Sequence, residues 1–387
     1  MDSEQNKFKT SNVVSIAATH FLHDTYSSFF APLIPLLSNK LGFTYAIAGV
    51  LSVVQKLPSL LNPFIGLIAD KTVIRSGIVA TPIITIITMS LMGLAPSVTL
   101  LAVLLFACGI SAAVLHVTAP VLMRRVSGSK VGRGMSFFMF GGELARTIGP
   151  LVITAAVSWW GLEGTWRLIP FGLAASLLLF LNLRTIDKEF IRQFTQAKKH
   201  HLSKSIGEVI PFFAQIGPII LFRGFSNTAL TLFLPSYMVD SGYSIKAAAC
   251  ALAVLELAGA GGALMAGSLS DKTGRKKVLL AIMLLSPLLM LLFTVAAGIA
   301  QWLLLGLMGL VFFASTPVFM AMIHDLNSDR PSFANGLYMT LNFAASSIVA
   351  LLVGVYADHH GLVATYRMTA LLGLLAIPPT LLLKDKR

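Results

Sequence analysis

Long apolar runs separated by short polar breaks dominate this chain. A bilayer-spanning helix needs about 20 predominantly apolar residues. Twelve runs of that kind occur, over about 12–37, 44–69, 77–95, 98–123, 134–158, 165–183, 209–238, 245–269, 278–298, 301–325, 332–356 and 363–383. The seventh is overlong, and Pro211 and Pro218 are expected to break its start. Between the sixth and seventh lies the one substantial polar stretch, 184–208, which carries Arg184, Lys188, Arg192, Lys198, Lys199 and Lys204. The pattern predicts an all-α membrane protein with twelve transmembrane helices in two six-helix, pseudo-symmetric halves. The halves are 1–183 and 209–387, and 184–208 is a cytoplasmic linker between them.

A repeat supports the two halves. Gly267-Ser268-Leu269-Ser270-Asp271-Lys272-Thr273-Gly274-Arg275-Lys276-Lys277 follows the eighth run, and a weaker copy, Gly66 through Asp70-Lys71 with Arg75, follows the second. Glycine and aspartate keep the same spacing in both. Pro35 with Gly42-Phe43-Thr44 likewise matches Pro235 with Gly242-Tyr243-Ser244. Six crossings are an even number, so the halves keep one orientation and are related by an axis along the membrane normal.

Composition agrees with lipid. Only 12% of residues are charged against 56% hydrophobic, with mean hydropathy +0.82; a soluble protein carries about 25% charged residues. The net charge of +13 is topological. The termini and even-numbered loops hold 22 of the 29 Lys and Arg residues, the odd-numbered ends hold only Lys40, Arg167, Lys246 and Arg367, and Lys56, Arg146 and Arg223 lie inside helices. Both termini are therefore expected in the cytoplasm of a cell (inner or plasma) membrane, with no nucleic-acid partner. The N-terminus does not read as a cleavable signal, since its apolar run is too long and contains His20 and Asp24. Cys108 and Cys250 are expected as small buried hydrophobes, with no disulfide and no metal spacing.

The loop sequence Gly-x-x-x-Asp-Lys-x-Gly-Arg-Lys-Lys at 267–277 resembles the cytoplasmic signature of the major facilitator superfamily, and the twelve runs and central linker fit that family along the whole chain. The copy at 66–77 is degenerate, with Val73 and Ile74 in place of Gly-Arg. Gly141 through Gly149-Pro150 resembles the glycine-proline motif of the family's antiporters, interrupted here by Glu143 and Arg146. A narrower resemblance is to the fosmidomycin-resistance branch. It rests on Thr19-His20-Phe21-Leu22-His23-Asp24, Pro35-Leu36-Leu37, Gly109 through His116, and Tyr356-Ala357-Asp358. His23 and Val117 depart from that branch's asparagine and proline. The resemblance implies a proton-driven exporter of small compounds, phosphonate antibiotics among them. It also implies gating roles for Gly66, Asp70, Gly267, Asp271 and Arg275, the acid capping a neighbouring helix and pairing with the arginine while the cytoplasmic side is closed.

Charges at membrane depth are costly and mark function by default. His20 and Asp24 lie four residues apart, on one helix face. A carboxylate favours the protonated imidazole while desolvation opposes it, so the pair suits loading and releasing a proton. His23 is expected as a packed or interfacial residue. Glu143 and Arg146 can pair within one helix; a structural ion pair and a gating or substrate role stay equally open, with Glu143 a proton-coupling candidate and Arg146 a substrate-binding one. Arg223 has no acid at i±3 or i±4. It either pairs across helices with Glu256 or Asp24, or meets an anionic substrate in the cavity that family helices one, four, seven and ten line. Gln55, Lys56 and His116 complete the polar candidates for substrate contact, His116 equally readable as a satisfied buried histidine.

No phosphate-binding loop and no catalytic triad occur, so no enzyme activity and no cofactor are expected, and energy comes from an ion gradient or the substrate itself. The expected partners are a small-molecule substrate, protons and the lipid bilayer, with the chain acting as a monomer. Two alternatives stand beside proton-coupled efflux: an importer or uniporter of an organic anion using Arg223, Arg146 and Lys56, and a divalent-metal transporter using His20, His23 and Asp24. The second is disfavoured because no soft ligand is nearby and the cations would repel a metal.

Overall fold

The computed structural model describes residues 8–62, 65, 75–128, 131–183, 202–326 and 331–383, and among them every regular element is helical. The chain forms two compact units, Met1–Leu37 with Val54–Lys199 and Ser38–Val53 with His200–Arg387.

The first apolar run divides into α1 (Thr10–Ser27) and α2 (Phe30–Leu41). The break follows from local chemistry. The hydroxyls of Ser27 and Ser28 donate to the carbonyls of Asp24 and Thr25, and Pro32, in the first turn of α2, has no N–H to continue the ladder. After α3 (Tyr45–Lys56), the first unit contains α4 (Arg75–Ser90), α5 (Val98–Val126), α6 (Val131–Trp160) and α7 (Leu168–Leu183). The Ser97 hydroxyl caps α5 by accepting from the Leu100 N–H at 3.3 Å. α1 packs along α6, where Gly141 and Gly149 leave room for the backbone of α1. Val13, Ile16, Ala17, Leu115, Ala119 and Phe138 form the core between α1, α5 and α6.

The second unit contains α8 (Leu202–Leu232), α9 (Leu234–Asp240), α10 (Ile245–Thr273), α11 (Arg275–Phe293), α12 (Ile299–Phe312), α13 (Ser315–His324), α14 (Pro331–Leu374) and α15 (Ile377–Leu381). α8 starts inside the stretch expected to be linker, of which 184–201 lies outside the described residues. Pro211 and Pro218 do not break α8, contrary to expectation; both sit inside it. The bend comes at Phe233, where α8 and α9 meet at 60° beside Pro235. A proline inside a membrane helix is tolerated because neighbouring groups satisfy the carbonyl it leaves free. α14 holds the last two apolar runs and is broken at Gly361, whose φ of 75° favours a residue without a Cβ. The start of α3 belongs to this unit. Its Tyr45 and Ala46 N–H groups donate to the Asp358 carboxylate at 2.6 and 2.9 Å, and the Tyr45 hydroxyl donates to Asp240 at 2.6 Å. A carboxylate supplied from α14 thus satisfies the open N–H groups and positive dipole end of α3.

Among the described residues, six helical stretches are long and apolar enough to cross a membrane, and the bent α8–α9 pair makes a seventh. Other runs are interrupted by turns such as Ser28–Phe29 or extend beyond the described residues. Large apolar side chains stand exposed on the outside, including Leu178, Leu264, Ile299 and Leu303, a surface suited to lipid. Cys108 is buried as expected, but Cys250 is exposed, contrary to expectation.

A carboxylate ringed by histidines

Asp24, near the end of α1, is buried with three imidazoles around it. His20 lies one turn earlier, and its Nε2 is 3.2 Å from Asp24 Oδ2. His23 Nδ1 is 2.9 Å from Oδ1. His116, from α5, brings its Nε2 to 3.4 Å from the same oxygen. The rings meet edge to face, His116 centred 5.1 Å from His20 and 5.9 Å from His23. A buried carboxylate is tolerated only when its charge is matched, and here three imidazoles stand within 3.4 Å of it, each able to match that charge when protonated. His23, expected as a packed or interfacial residue, is fully buried, and its ring also bonds Asp24, a contact the sequence did not suggest.

The hydrogen-bond partners constrain where protons can sit. His20 Nδ1 is 2.8 Å from the Phe138 carbonyl, which only accepts, so Nδ1 carries the hydrogen. In the neutral ring Nε2 then presents a lone pair to Asp24. Two lone pairs at 3.2 Å repel, and a proton held by either group turns the contact attractive. His20 Nε2 has no aligned hydrogen-bond partner, so it is a poised position, not a saturated one. The ring itself is held firmly, stacked on Phe138 with centroids 3.9 Å apart and facing Gly142 of α6. A Cβ at Gly142 would stand 2.5 Å from His20 Cε1 and 3.0 Å from Nε2.

On the other side, the Ser111 hydroxyl donates to the Thr81 carbonyl at 2.6 Å and lies 2.8 Å from the Thr85 hydroxyl. It therefore offers His23 Nε2, 3.3 Å away, a lone pair in place of a proton. Phe138, Gly142, Ser111 and Thr81 were not singled out from sequence. The Phe138 and Thr81 contacts are main-chain carbonyls, which leave no side-chain signal.

The remaining candidates fall into separate groups. Glu143 and Arg146 form an ion pair on α6, one turn from each other. The Gln55 amide donates to the Ser27 carbonyl at 3.3 Å and contacts Cys108 Sγ at 3.7 Å, which ties the end of α3 to α1 and α5. Lys56 is half-buried as the last residue of α3. In the second unit Glu256 is buried on α10. Arg223 on α8 has a buried Nε with no hydrogen-bond partner; the Tyr338 side chain is its electrostatic neighbour, and no ion pair engages it among the described residues.

In the loop motif Arg275 forms an ion pair with Asp271, donates from Nε to Asp325 at 3.2 Å and donates from Nη1 to the Ser270 hydroxyl at 2.6 Å. Asp325, just past α13, is a second acid that the sequence reading missed. It lies 50 residues from Arg275, beyond any local spacing rule. Gly267 lies in α10, while Gly66 and Asp70 fall outside the described residues.

His20, Asp24 and His116 each offer one ligand atom, all within 4.8 Å of one another, a spacing that also admits a cation. The arrangement has the chemistry to hold a proton, or a cation in its place, at a point shared by α1 and α5.

Comparison with known proteins agrees with this architecture. The chain is 25% identical to an uncharacterized MFS-type transporter, YfnC, of Bacillus subtilis (strain 168), across 97% of this chain and 93% of that protein. It is also 25% identical to the fosmidomycin resistance protein of Escherichia coli (strain K12), across 96% and 92%. Its fold is similar to the crystal structure of a bacterial homolog to the human lysosomal transporter Spinster, in an inward-facing and occupied conformation. That match has a TM-score of 0.82 at 14% identity and covers 97% of this chain and 96% of the other. The family model described as Major Facilitator Superfamily matches residues 16–265 and 216–387, which together take in nearly all of the sequence, and this multi-pass membrane transporter belongs to that superfamily.

Proposed function

We propose that the protein is a proton-coupled exporter (antiporter) of small anionic or amphipathic compounds, working by alternating access in the cell membrane with both termini and the linker cytoplasmic. The observation that carries this reading is the His20–Asp24 contact, which is repulsive unless a proton occupies it. Losing that proton sets lone pair against lone pair and favours a state with different hydration or partners, so proton release biases a conformational equilibrium. The apparent titration belongs to the cluster and not to one residue. A relative named for drug resistance supports export over import. Glu143, in ion pair with Arg146 beside Gly142, is the second proton-coupling candidate. The substrate-binding set is Arg223, Arg146, His116, Gln55, Lys56 and Glu256, with Arg223 recognising negative charge. The chain acts as a monomer.

The test is flux in proteoliposomes treated with a chelator, with a panel of anionic and neutral compounds and a proton-sensitive dye. Proton movement tied to substrate movement is expected. Substrate flux that ignores the pH gradient would leave an organic-anion uniporter, and flux lost with the chelator would favour the cation reading. Arg223→Ala should weaken binding of anionic compounds roughly tenfold, the scale of one charge-assisted hydrogen bond, and neutral ones far less. Arg223→Lys should recover part of the loss, because a point charge replaces a planar fork. Equal affinities in all three proteins would make Arg223 structural.

Gly66, Asp70, Gly267, Asp271 and Arg275 form the proposed gating set. Asp271 is largely exposed, so its pair with Arg275 adds little to stability. Asp271→Asn should lower transport several-fold while the yield and melting of purified protein stay near wild type. Undiminished transport by a well-folded Asp271→Asn protein would reduce the motif to a topological signal.

A further inference from the structure

The two halves differ at one repeated position. Thr165-Trp166-Arg167 opens the last helix of the first half, and Thr365-Tyr366-Arg367 stands 200 residues later. Both arginines are exposed, and the Arg167 guanidinium stands 5.9 and 5.7 Å from the rings of Trp160 and Trp166. Tyr366 turns inward, fully buried, with its hydroxyl donating to the Ala229 carbonyl at 2.9 Å, and Arg367 faces out.

It faces an open groove of about 690 Å³ in the elbow of α14. The helix is broken at Gly361, and the groove is lined by Tyr356 and His360 before the break and by residues after it. Tyr356 and His360 stack, centroids 4.2 Å apart. Arg367 Nε donates to the Thr294 hydroxyl at 3.3 Å, which fixes the stem and leaves the far edge of the guanidinium unpaired by any carboxylate among the described residues. Asp358, the nearest acid along the arm, is committed to the N–H groups of Tyr45 and Ala46. Past Arg367 the lining is apolar: Met368, Leu371 and Leu372.

The depth of these groups is set by helix geometry. Arg367 is six residues beyond Gly361, about 9 Å down the arm at 1.5 Å per residue. Tyr356 is five residues before the break and lines the same groove. A cation and a tyrosine in one groove, with an apolar stripe continuing past the cation, match a phosphate joined to an acyl chain. Tyrosine and arginine also favour the membrane interface.

We propose that the α14 elbow is a binding site for an anionic glycerophospholipid. The phosphate meets Arg367 and the Tyr356 hydroxyl, and one acyl chain lies along Met368, Leu371 and Leu372. Charge complementarity selects the headgroup, and the groove holds a headgroup and the upper part of one chain. A soluble anion would use the arginine but leave the apolar stripe bare.

The test is native mass spectrometry of the purified full chain titrated with phosphatidylglycerol or with phosphatidylcholine of the same acyl chains. Wild type should retain the first phosphatidylglycerol at least fivefold more tightly. Arg367→Ala should remove that preference, Arg367→Lys should keep part of it, and Leu371→Gln should weaken both lipids. Arg167→Ala, at the repeated position beside Trp160 and Trp166 and outside this groove, should leave the preference intact. Melting of each protein in detergent checks that it is folded, and Arg367→Lys serves if Arg367→Ala is not. Equal retention of the two lipids by wild type would overturn the proposal, as would a preference that survives Arg367→Ala. Full competition by millimolar inorganic phosphate would also overturn it, by making this a soluble-anion site.

Discussion

Asp24→Asn is expected to reduce proton-driven, concentrative transport to background while substrate exchange continues. The reason lies in which atom supplies hydrogen to His20 Nε2. In the proposed mechanism a shared proton makes the 3.2 Å contact attractive. The asparagine carboxamide has the same shape and provides N–H donors permanently, so the variant imitates the proton-loaded site and cannot unload it. Exchange needs no net proton movement and should persist. His20→Ala removes the other half of the contact. It should shift the pH dependence of flux without unfolding the protein, since Asp24 keeps His23 and His116. The measurement is pH-jump-driven flux beside counterflow in the same vesicles. Unchanged driven flux in Asp24→Asn would take the cluster out of the mechanism and turn attention to Glu143 and Glu256.

The second large effect is expected from Gly142. It touches no substrate in this account, but it is the surface against which the His20 ring rests. An added Cβ would stand 2.5 Å from Cε1, closer than carbon atoms approach, and the ring is already clamped by Phe138 at 3.9 Å. Either α6 moves away from α1 or the imidazole rotates and loses its bond to the Phe138 carbonyl. Overpacking of this kind costs about 1–3 kcal/mol. Gly142→Ala should therefore lower the melting temperature modestly and weaken coupling at least as strongly as His20→Ala, and Gly142→Val should do more of both. In Gly142→Val with His20→Ala the melting temperature should recover while coupling does not, because the clash is relieved but the proton position is gone. Full coupling in a folded Gly142→Val protein would show that the orientation of His20 is immaterial.

The candidate site was partly legible in the chain. Four-residue spacing alone places His20 and Asp24 on one face of a helix, and their contact follows from that geometry. The His23 contact with Asp24 was not legible because i,i+1 neighbours point apart on an ideal helix. It is the Nδ1 branch of the ring, curling back to 2.9 Å, that joins it to Asp24. His116 is 92 residues from Asp24, and only the packing of α5 on α1 brings it to 3.4 Å. Arg275 shows the same division. Its pair with Asp271 is a matter of spacing, whereas its bond to Asp325 required α13 to end beside α11.

What the sequence by itself determined is what repeats locally along the chain: apolar length, the asymmetry of basic loops, the duplicated loop motif, and pairs one helical turn apart. These follow from the dimensions of a helix and a bilayer, which are the same at every position. What only the tertiary structure decided depends on approach between distant segments. It placed the bend at Phe233 and not at Pro211 or Pro218, because helix packing can absorb a proline that composition counts as a breaker. It set the Phe138 carbonyl on His20 and the Thr81 carbonyl on Ser111, contacts made by backbone that no residue name reveals. It also sent Asp358 to cap α3 across 313 positions of chain, since a buried or interfacial charge takes whatever donors folding brings within reach.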